Sequence, residues 1–520
     1  MKIDAYTKDD TLRLKGFGIL LICLHNYFHF LWPSPGENEF KFSSERIFNL
    51  FSQLGYDGGE FFNLLLSYFG HFGVQVFILV SGYGLAASMM MRGQSWGVFV
   101  VNRWKKLYPL LLTALSFYIL FGRMLLDGAP PYSYHWREMG YKLLLIHTLL
   151  PDSGLSLCGP WWFFGLIFQL YLLFPLLFWL FKRYDWKAFL GTSLVAYGMI
   201  FFFREAMPAF SGSILMQNAP GHLPEFCFGI WLCLNKEKNL SWIWLVVAVV
   251  LFGLGNFFAG FYPFTFLSVA VITVFVFHAV KRRHPSSVVS RFFVWLGGVS
   301  MALFATHGFL RDPFLSVAGK WGGAWGHFFS GVVFFTTACL LALAAKHLYD
   351  LLLWLFDKIP VVENRAAKVV SRCAMVFLCL FVVYVFTYYI AMNVRERETR
   401  QMAVGDTVKV EKTENTISLV DFTFPNNSQW VCVEGSFDIV SNDTQAVLPL
   451  VVIDISGDIF WKSLEIPAKF NDGQQHHYEF VFDFKRPFMR KIKNKPMKVF
   501  LWNNSNASVS VEQLDVTLKY

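Results

Sequence analysis

Eleven apolar runs of spanning length limit what this chain of 520 residues can fold into. They lie near 12–32, 73–91, 107–126, 161–181, 187–204, 222–235, 241–259, 264–280, 291–310, 322–345 and 369–392. A hydrocarbon core of ~30 Å takes about 20 apolar residues per helix, and only helices and closed barrels satisfy their backbone inside it. The run at 222–235 is short for that thickness and predicts a tilted, extended or partly irregular span. A smaller apolar piece at 141–150 predicts an interfacial or re-entrant segment. Only 16% of residues are charged, against about 25% in soluble chains. An integral membrane protein follows.

The net charge of +9 raises the question of nucleic acid. The basic residues sit in short clusters between apolar runs, as membrane topology requires, and not on one folded face. Lys2, Lys8, Arg13 and Lys15 precede the first run, and Arg92, Arg103, Lys105 and Lys106 follow the second. "KRYDWK", "NKEK" and "KRRH" follow the fourth, sixth and eighth. Lys346, Lys358, Arg365 and Lys368 follow the tenth. Every other loop is basic, so the amino terminus is expected in the cytoplasm and the segment after 392 outside. The first run is long enough to span and lacks a small-residue cleavage site, so a first helix is expected there in place of a cleavable signal.

Eight cysteines form no CxxC pair, and seven lie in or beside apolar runs, where small packing residues are the simplest reading. Only Cys432 falls in the polar tail, so no disulfide is expected there. That tail, 400–520, alternates with a period of two in "TISLVDFTF", "WVCVEGSFDIV", "AVLPLVVIDI", "YEFVFDF", "MKVFLW" and "VSVEQLDVTLKY". About eight short strands broken by "PNNS", "SNDT" and "NDGQ" predict an antiparallel sandwich. "RERETRQ" (395–401) reads as the joint to the last span.

The first run also carries polar residues. At 100° per residue, Lys15, Gly18, Ile22, His25, Asn26 and His29 share a stripe about 100° wide, with Lys15 and His25 roughly 15 Å apart along the axis. Ionisable groups in a span face a bundle interior or a wet cavity. Lys15 alone is equally well read as a snorkelling anchor, whereas the His25–Asn26–His29 group favours a functional face. Arg103, Lys105 and Lys106 in "RWKKLYP" suit a phosphorylated cytosolic ligand, although by spacing alone ordinary positive-inside anchoring is the stronger reading. Trp161 and Trp162 open a span, as an aromatic belt does. Glu225 in "GHLPEFCFGIWL" is expected in the first turn of a short span, where the helix dipole favours a carboxylate. His307 closes "VSMALFATHGF".

In order and spacing, "LKGFGILLICLH", "VFILVSGYGL", "RWKKLYP", "WWFFGLIFQLYLLFP", "LPEFCFGI" and "VSMALFATHGF" resemble the acyltransferase family 3 membrane proteins over roughly 10–345. The resemblance implies transfer of an acyl group, most often acetyl, from cytosolic acyl-CoA to a carbohydrate outside the membrane. It implies His25 as the first-helix histidine with Lys15 as its basic partner, and Arg103 and Lys106 as the cytoplasmic basic pair. It further implies Ser81 of the "SG" motif, Glu225 as the acid before the short span and His307 as the late histidine. The Lys15–His25 gap is one residue shorter than the commonest family form, and Asn26 stands where that form has histidine; His29 remains a candidate.

The expected architecture is a polytopic α-helical membrane protein, a ten-span core plus an eleventh tethering span. It ends in an extracytoplasmic all-β, jelly-roll-like domain, with boundaries at 1–345, 346–399 and 400–520. His25 and Glu225 are the expected catalytic residues. Lys15, Arg103, Lys105, Lys106, Ser81, Trp161 and Trp162 are expected on the donor side, and Asn26, His29 and His307 on the acceptor side. No metal and no permanently bound cofactor are expected; acetyl-CoA or another acyl-CoA is the co-substrate. The partners expected are acyl-CoA, a glycan or glycolipid acceptor and membrane lipid, at the inner (cytoplasmic) membrane. Trp430, Trp461 and Trp502 are candidate sugar platforms, although core packing is the favoured reading. Two other classes stay open: a proton-coupled secondary transporter, for which the halves lack a convincing repeat, and an inactive relative whose β domain binds glycan.

Overall fold

The computed structural model describes residues 4–358 apart from 32–33, 35, 57, 123–131, 151–152, 207–212, 237 and 284–286. It also describes 399–519 apart from the connections 405–407, 411–415, 424–429, 442–447, 457–459, 467–469, 486–493 and 504–507. The expected eleventh span at 369–392 lies outside the described residues. The chain divides into two compact units, Met1–Val383 and Tyr384–Tyr520.

The first unit is helical. Its long helices are α1 (Lys8–Phe28), α2 (Gly73–Arg92), α3 (Trp96–Phe117), α4 (Trp162–Tyr184), α5 (Trp186–Ala206), α6 (Ala219–Leu234), α7 (Trp242–Phe257), α8 (Thr265–Arg283), α9 (Val288–Thr306) and α10 (Gly323–Asp357). Each overlaps one of the first ten apolar runs, although α3 starts eleven residues before its run at 107–126 and ends at Phe117. Among the described residues, five helices are long and apolar enough to cross a membrane by length and composition: Phe61–Arg92, Gly159–Tyr184, Tyr262–Lys281, Val288–Thr306 and Gly323–Asp357. The short run at 222–235 becomes the 16-residue α6, which is only about 24 Å long. Its residues from Pro224 to Ile230 are all buried, so it is a core helix of the bundle.

Local chemistry sets where α1 begins. Thr7 caps it reciprocally with Asp10: Asp10 N–H donates to Thr7 Oγ1 at 3.1 Å, and Thr7 N–H to Asp10 Oδ2 at 2.9 Å. Asp10 also pairs with Arg13 at 2.8 Å and with Lys281 of α8 at 2.6 Å. Buried with two cations, this carboxylate fixes the level at which α1 enters the bundle. Glycines then let the backbones touch. A Cβ at Gly16 or Gly297 would strike the Phe293 or Leu12 carbonyl across the α1–α9 contact. At Gly82 and Gly229 it would strike the Phe226 and Leu79 carbonyls across α2–α6. Where lipid removes the hydrophobic incentive for helices to associate, such close approach supplies the packing energy. The "SG" motif therefore has a structural reason of its own.

The second unit is all-β, as its alternation predicts, with nine described strands. Sheet one runs β1 (Thr399–Val404), β9 (Val509–Lys519), β4 (Trp430–Ser441), β7 (Gln475–Lys485), with β2 (Val408–Val410) also on β9. Sheet two runs β3 (Thr416–Thr423), β8 (Pro496–Trp502), β5 (Leu450–Ile455), β6 (Phe460–Glu465). All pairings are antiparallel, and one core draws Val433, Phe437, Phe480 and Val516 from the first sheet and Val451, Ile453, Val499 and Leu501 from the second. β1 takes up part of the expected joint: Thr399 pairs with Lys519 and Arg400 with Leu518. Its sequence lacks alternation, and the edge of β9 supplies its order. Trp502 is half-buried in β8, and the Trp430 and Trp461 side chains lie outside the described residues.

Candidate functional site

A buried histidine in an apolar bundle must find hydrogen-bond partners there. His25 finds one in the helix Phe61–Phe69, where its Nδ1 lies 2.8 Å from the Ser67 carbonyl oxygen. A carbonyl only accepts, so Nδ1 carries the hydrogen and the neutral ring presents its lone pair at Nε2. The chain tightens into a 3-10 turn at Gly70–Phe72 just beyond, and carbonyls near a helix end leave the regular ladder. Gly70 makes the approach possible: a Cβ there would lie 2.7 Å from the Cβ of His25.

Around His25 the described chain gathers further histidines and two carboxylates. The rings of His29 and His71 lie 5.3 Å and 5.5 Å from that of His25. His29 Nδ1 is 2.6 Å from Glu37 Oε2. Burial alone would raise the Glu37 carboxyl; the His29 hydrogen bond and charge win and lower it to about 2. Glu39 is pushed well above the carboxylate range by burial and by the charge of Glu37. Glu37 and Glu39 sit in the loop after α1, where sequence reasoning missed them: "ENE" in a turn-like stretch reads as a solvated connection. Their one signal is an E-x-E eight residues after His29.

His307 caps the far end of α9 and donates Nδ1–H to the carbonyls of Leu303 and Phe304 at 3.0 and 3.1 Å. Its buried Nε2 has no partner among the described residues, and it lies within Coulombic reach of His25. The fold thus brings His25, His29 and His307 to one end of the bundle. Asn26 is not drawn into this group, since its amide donates to the Ile22 carbonyl of its own helix at 3.0 Å.

Glu225 belongs to a different pair. Its helix starts at Ala219, so the residue falls in the second turn and not the first; Pro220, favoured at a helix start, sets that earlier boundary. With the dipole argument gone, its partner is His222, whose Nδ1 lies 2.8 Å from Glu225 Oε1. His222 Nε2–H donates to the Met216 carbonyl at 2.7 Å. Sequence reasoning missed His222, although "HLPE" places the two at i, i+3 on one helical face. Trp162 stands between this pair and the loop after α1, its ring centroid 5.5 Å from His222 and 5.2 Å from Phe40. Trp161 is fully buried and donates Nε1–H to the Ala305 carbonyl at 3.0 Å, which holds α4 to α9 just before His307.

The cations sit at the other end of α1. Lys15 is half-buried and within Coulombic reach of Arg103. Arg103 donates Nη2–H to Ser88 Oγ at 3.2 Å and lies 5.2 Å from the Phe99 ring centroid. Lys105 is buried, Lys106 exposed, and Ser81 half-buried on α2. Between the two ends, Ile22, Val74, Phe77, Phe163, Met301 and Phe304 line a gap of about 10 Å³. That holds at most about one water molecule, so passage along this face of α1 requires these side chains to move.

A family model described as an acyltransferase domain, Acyl_transf_3, matches residues 13–345. No curated protein matches. No solved structure matches.

Proposed function

We propose that this chain, which belongs to the acyltransferase 3 family and is a membrane acyltransferase, moves an acetyl group from cytosolic acetyl-CoA to a hydroxyl of an extracytoplasmic glycan. The observation that carries the reading is the His25–Ser67 hydrogen bond of 2.8 Å, which leaves Nε2 of a buried imidazole as an oriented proton acceptor. A sugar hydroxyl is a weak nucleophile at neutral pH and needs such a base. In this reading the acceptor oxygen attacks the thioester carbonyl carbon while its proton passes to His25 Nε2. The C–S bond then breaks and the CoA thiolate leaves with that proton, so the ester and free CoA thiol balance the reactants.

Donor placement rests on charge. CoA phosphates would stay near Lys15, Arg103, Lys105 and Lys106 on the cytoplasmic side, with Ser81 beside the path of the pantetheine arm. The arm would reach His25 by displacing Phe77, Phe163 and Phe304 around the narrow gap. The acceptor would arrive from outside, past His29 and His307, in a cell membrane that holds the amino terminus inside. The β sandwich, read as jelly-roll-like, would bind or position the acceptor.

The test uses membranes carrying the wild type, His25→Ala or His25→Asn, incubated with acetyl-labelled acetyl-CoA. Base-labile label in glycan or glycolipid is followed together with thioester hydrolysis. Asparagine can still donate to the Ser67 carbonyl but cannot act as a base. Both variants are expected to lose turnover by roughly 10²–10⁴-fold with donor binding retained. Full transfer by either variant refutes the assignment.

A further inference from the structure

His25, Glu37 and Glu39 bring one imidazole nitrogen and two carboxylate oxygens within 4.8 Å of one another. We propose that these three side chains form a binding site for a single divalent transition-metal cation of the zinc type. One nitrogen and two carboxylate oxygens are an ordinary donor set for such an ion. Tetrahedral coordination at 2.0–2.1 Å puts ligand atoms about 3.4 Å apart, so a small inward closure of the Glu37–Glu39 loop brings these three ligands to coordinating distance and leaves a fourth position.

The surroundings match what holds metal ligands in place. A ligating histidine commonly donates its second ring nitrogen to a carbonyl, and a ligating carboxylate is itself hydrogen-bonded. His25 donates to Ser67 at 2.8 Å, and Glu37 is held by His29 at 2.6 Å. His71 adds an independent observation. It is 1% exposed, neither ring nitrogen has a hydrogen-bond partner among the described residues, and it lies within Coulombic reach of Glu37. This imidazole lies outside the three-ligand group, its ring 5.5 Å from that of His25, and becomes a fourth ligand only by moving inward with the loop. Charge argues the same way, because two neighbouring half-buried carboxylates repel each other unless a proton or a cation lies between them.

The ion would take the lone pair that the proposed reaction needs. Zinc bound at His25 Nε2 therefore blocks proton transfer and slows turnover, a consequence that rests on the reading of His25 as the base. The site itself does not depend on that reading.

The test uses the purified full-length protein in detergent, stripped with a chelator, reloaded with excess zinc chloride and desalted. Zinc retained per chain is measured by elemental analysis, and cobalt(II) absorption reports the coordination. One ion per chain is expected in the wild type and in His477→Ala, which removes an exposed histidine of the β unit. Glu37→Gln and Glu39→Gln are expected to lose it. Glu39→Asp, which keeps the charge but shortens the reach, is expected to bind at least tenfold more weakly with an unchanged metal-free melting curve. Absence of bound zinc in the wild type, or undiminished binding by the Glu37→Gln/Glu39→Gln double variant, overturns the site. Zinc that binds as expected without slowing transfer leaves the site standing and refutes His25 as the base.

Discussion

The Nδ1–H of His25 and the main-chain carbonyl of Ser67 meet at 2.8 Å across forty-two residues of sequence. The contact depends on Gly70, whose missing side chain leaves room for the imidazole stem. In Gly70→Ala the new Cβ would lie 2.7 Å from the His25 Cβ and 2.9 Å from the Leu21 carbonyl. Overpacking of this kind costs about 1–3 kcal/mol. The variant should stay folded, by size exclusion and melting, while transfer falls at least tenfold because the imidazole is displaced. Wild-type transfer with an unchanged melting curve would show that this approach is not needed.

Glu37 provides a pH test outside the spanning helices. Its carboxyl is lowered to about 2 from 4.5, so the folded protein holds it ionised more firmly than the unfolded chain does. Its contribution is therefore complete above about pH 4.5 and lost as pH falls towards 2. At 1.36 kcal/mol per unit it amounts to at most about 3 kcal/mol. Melting temperatures of wild type and Glu37→Gln should differ by a constant amount above pH 5 and converge in acid. A gap that widens in acid would reverse the sign.

His222 and Glu225 form a buried pair, with side chains only 2% and 1% exposed. Removing one partner of such a pair typically costs 3–5 kcal/mol, through the polar group left behind. Glu225→Ala and His222→Ala should each lower the melting temperature strongly, and the double variant by clearly less than their sum. An additive double variant would show that the two are not coupled, and stable single variants lacking only turnover would place Glu225 in the chemistry.

Arg103 and Lys106 separate the donor-binding reading from membrane anchoring. A lost charge-assisted phosphate contact of about 1.4 kcal/mol is a tenfold change in affinity. Arg103→Ala should raise the KM for acetyl-CoA by about that factor with kcat little changed, and Lys106→Ala should act in the same direction. Equal effects on KM and kcat, or none on either, would count against a phosphate dock.

The amino-acid sequence by itself determined the two-part architecture. Helix length in lipid and strand alternation are local signals: each of the first ten apolar runs overlaps one of α1–α10, and "WVCVEGSFDIV" became β4. It also pointed to His25, because a polar stripe on one helical face can be read by counting. What His25 touches was decided by the tertiary structure. The Ser67 carbonyl is chemically like every other carbonyl in the chain, and only the turn at Gly70–Phe72 and the close approach of α1 select it. The same holds for Glu37 and Glu39, which read as solvated loop residues until the chain folds back over His25. It holds for Glu225, which a dipole argument assigned to a helix start and which proximity gave to His222. Secondary structure follows from bonds made within a few residues, whereas a buried polar group takes whichever distant partner the packing of whole helices brings within 3 Å.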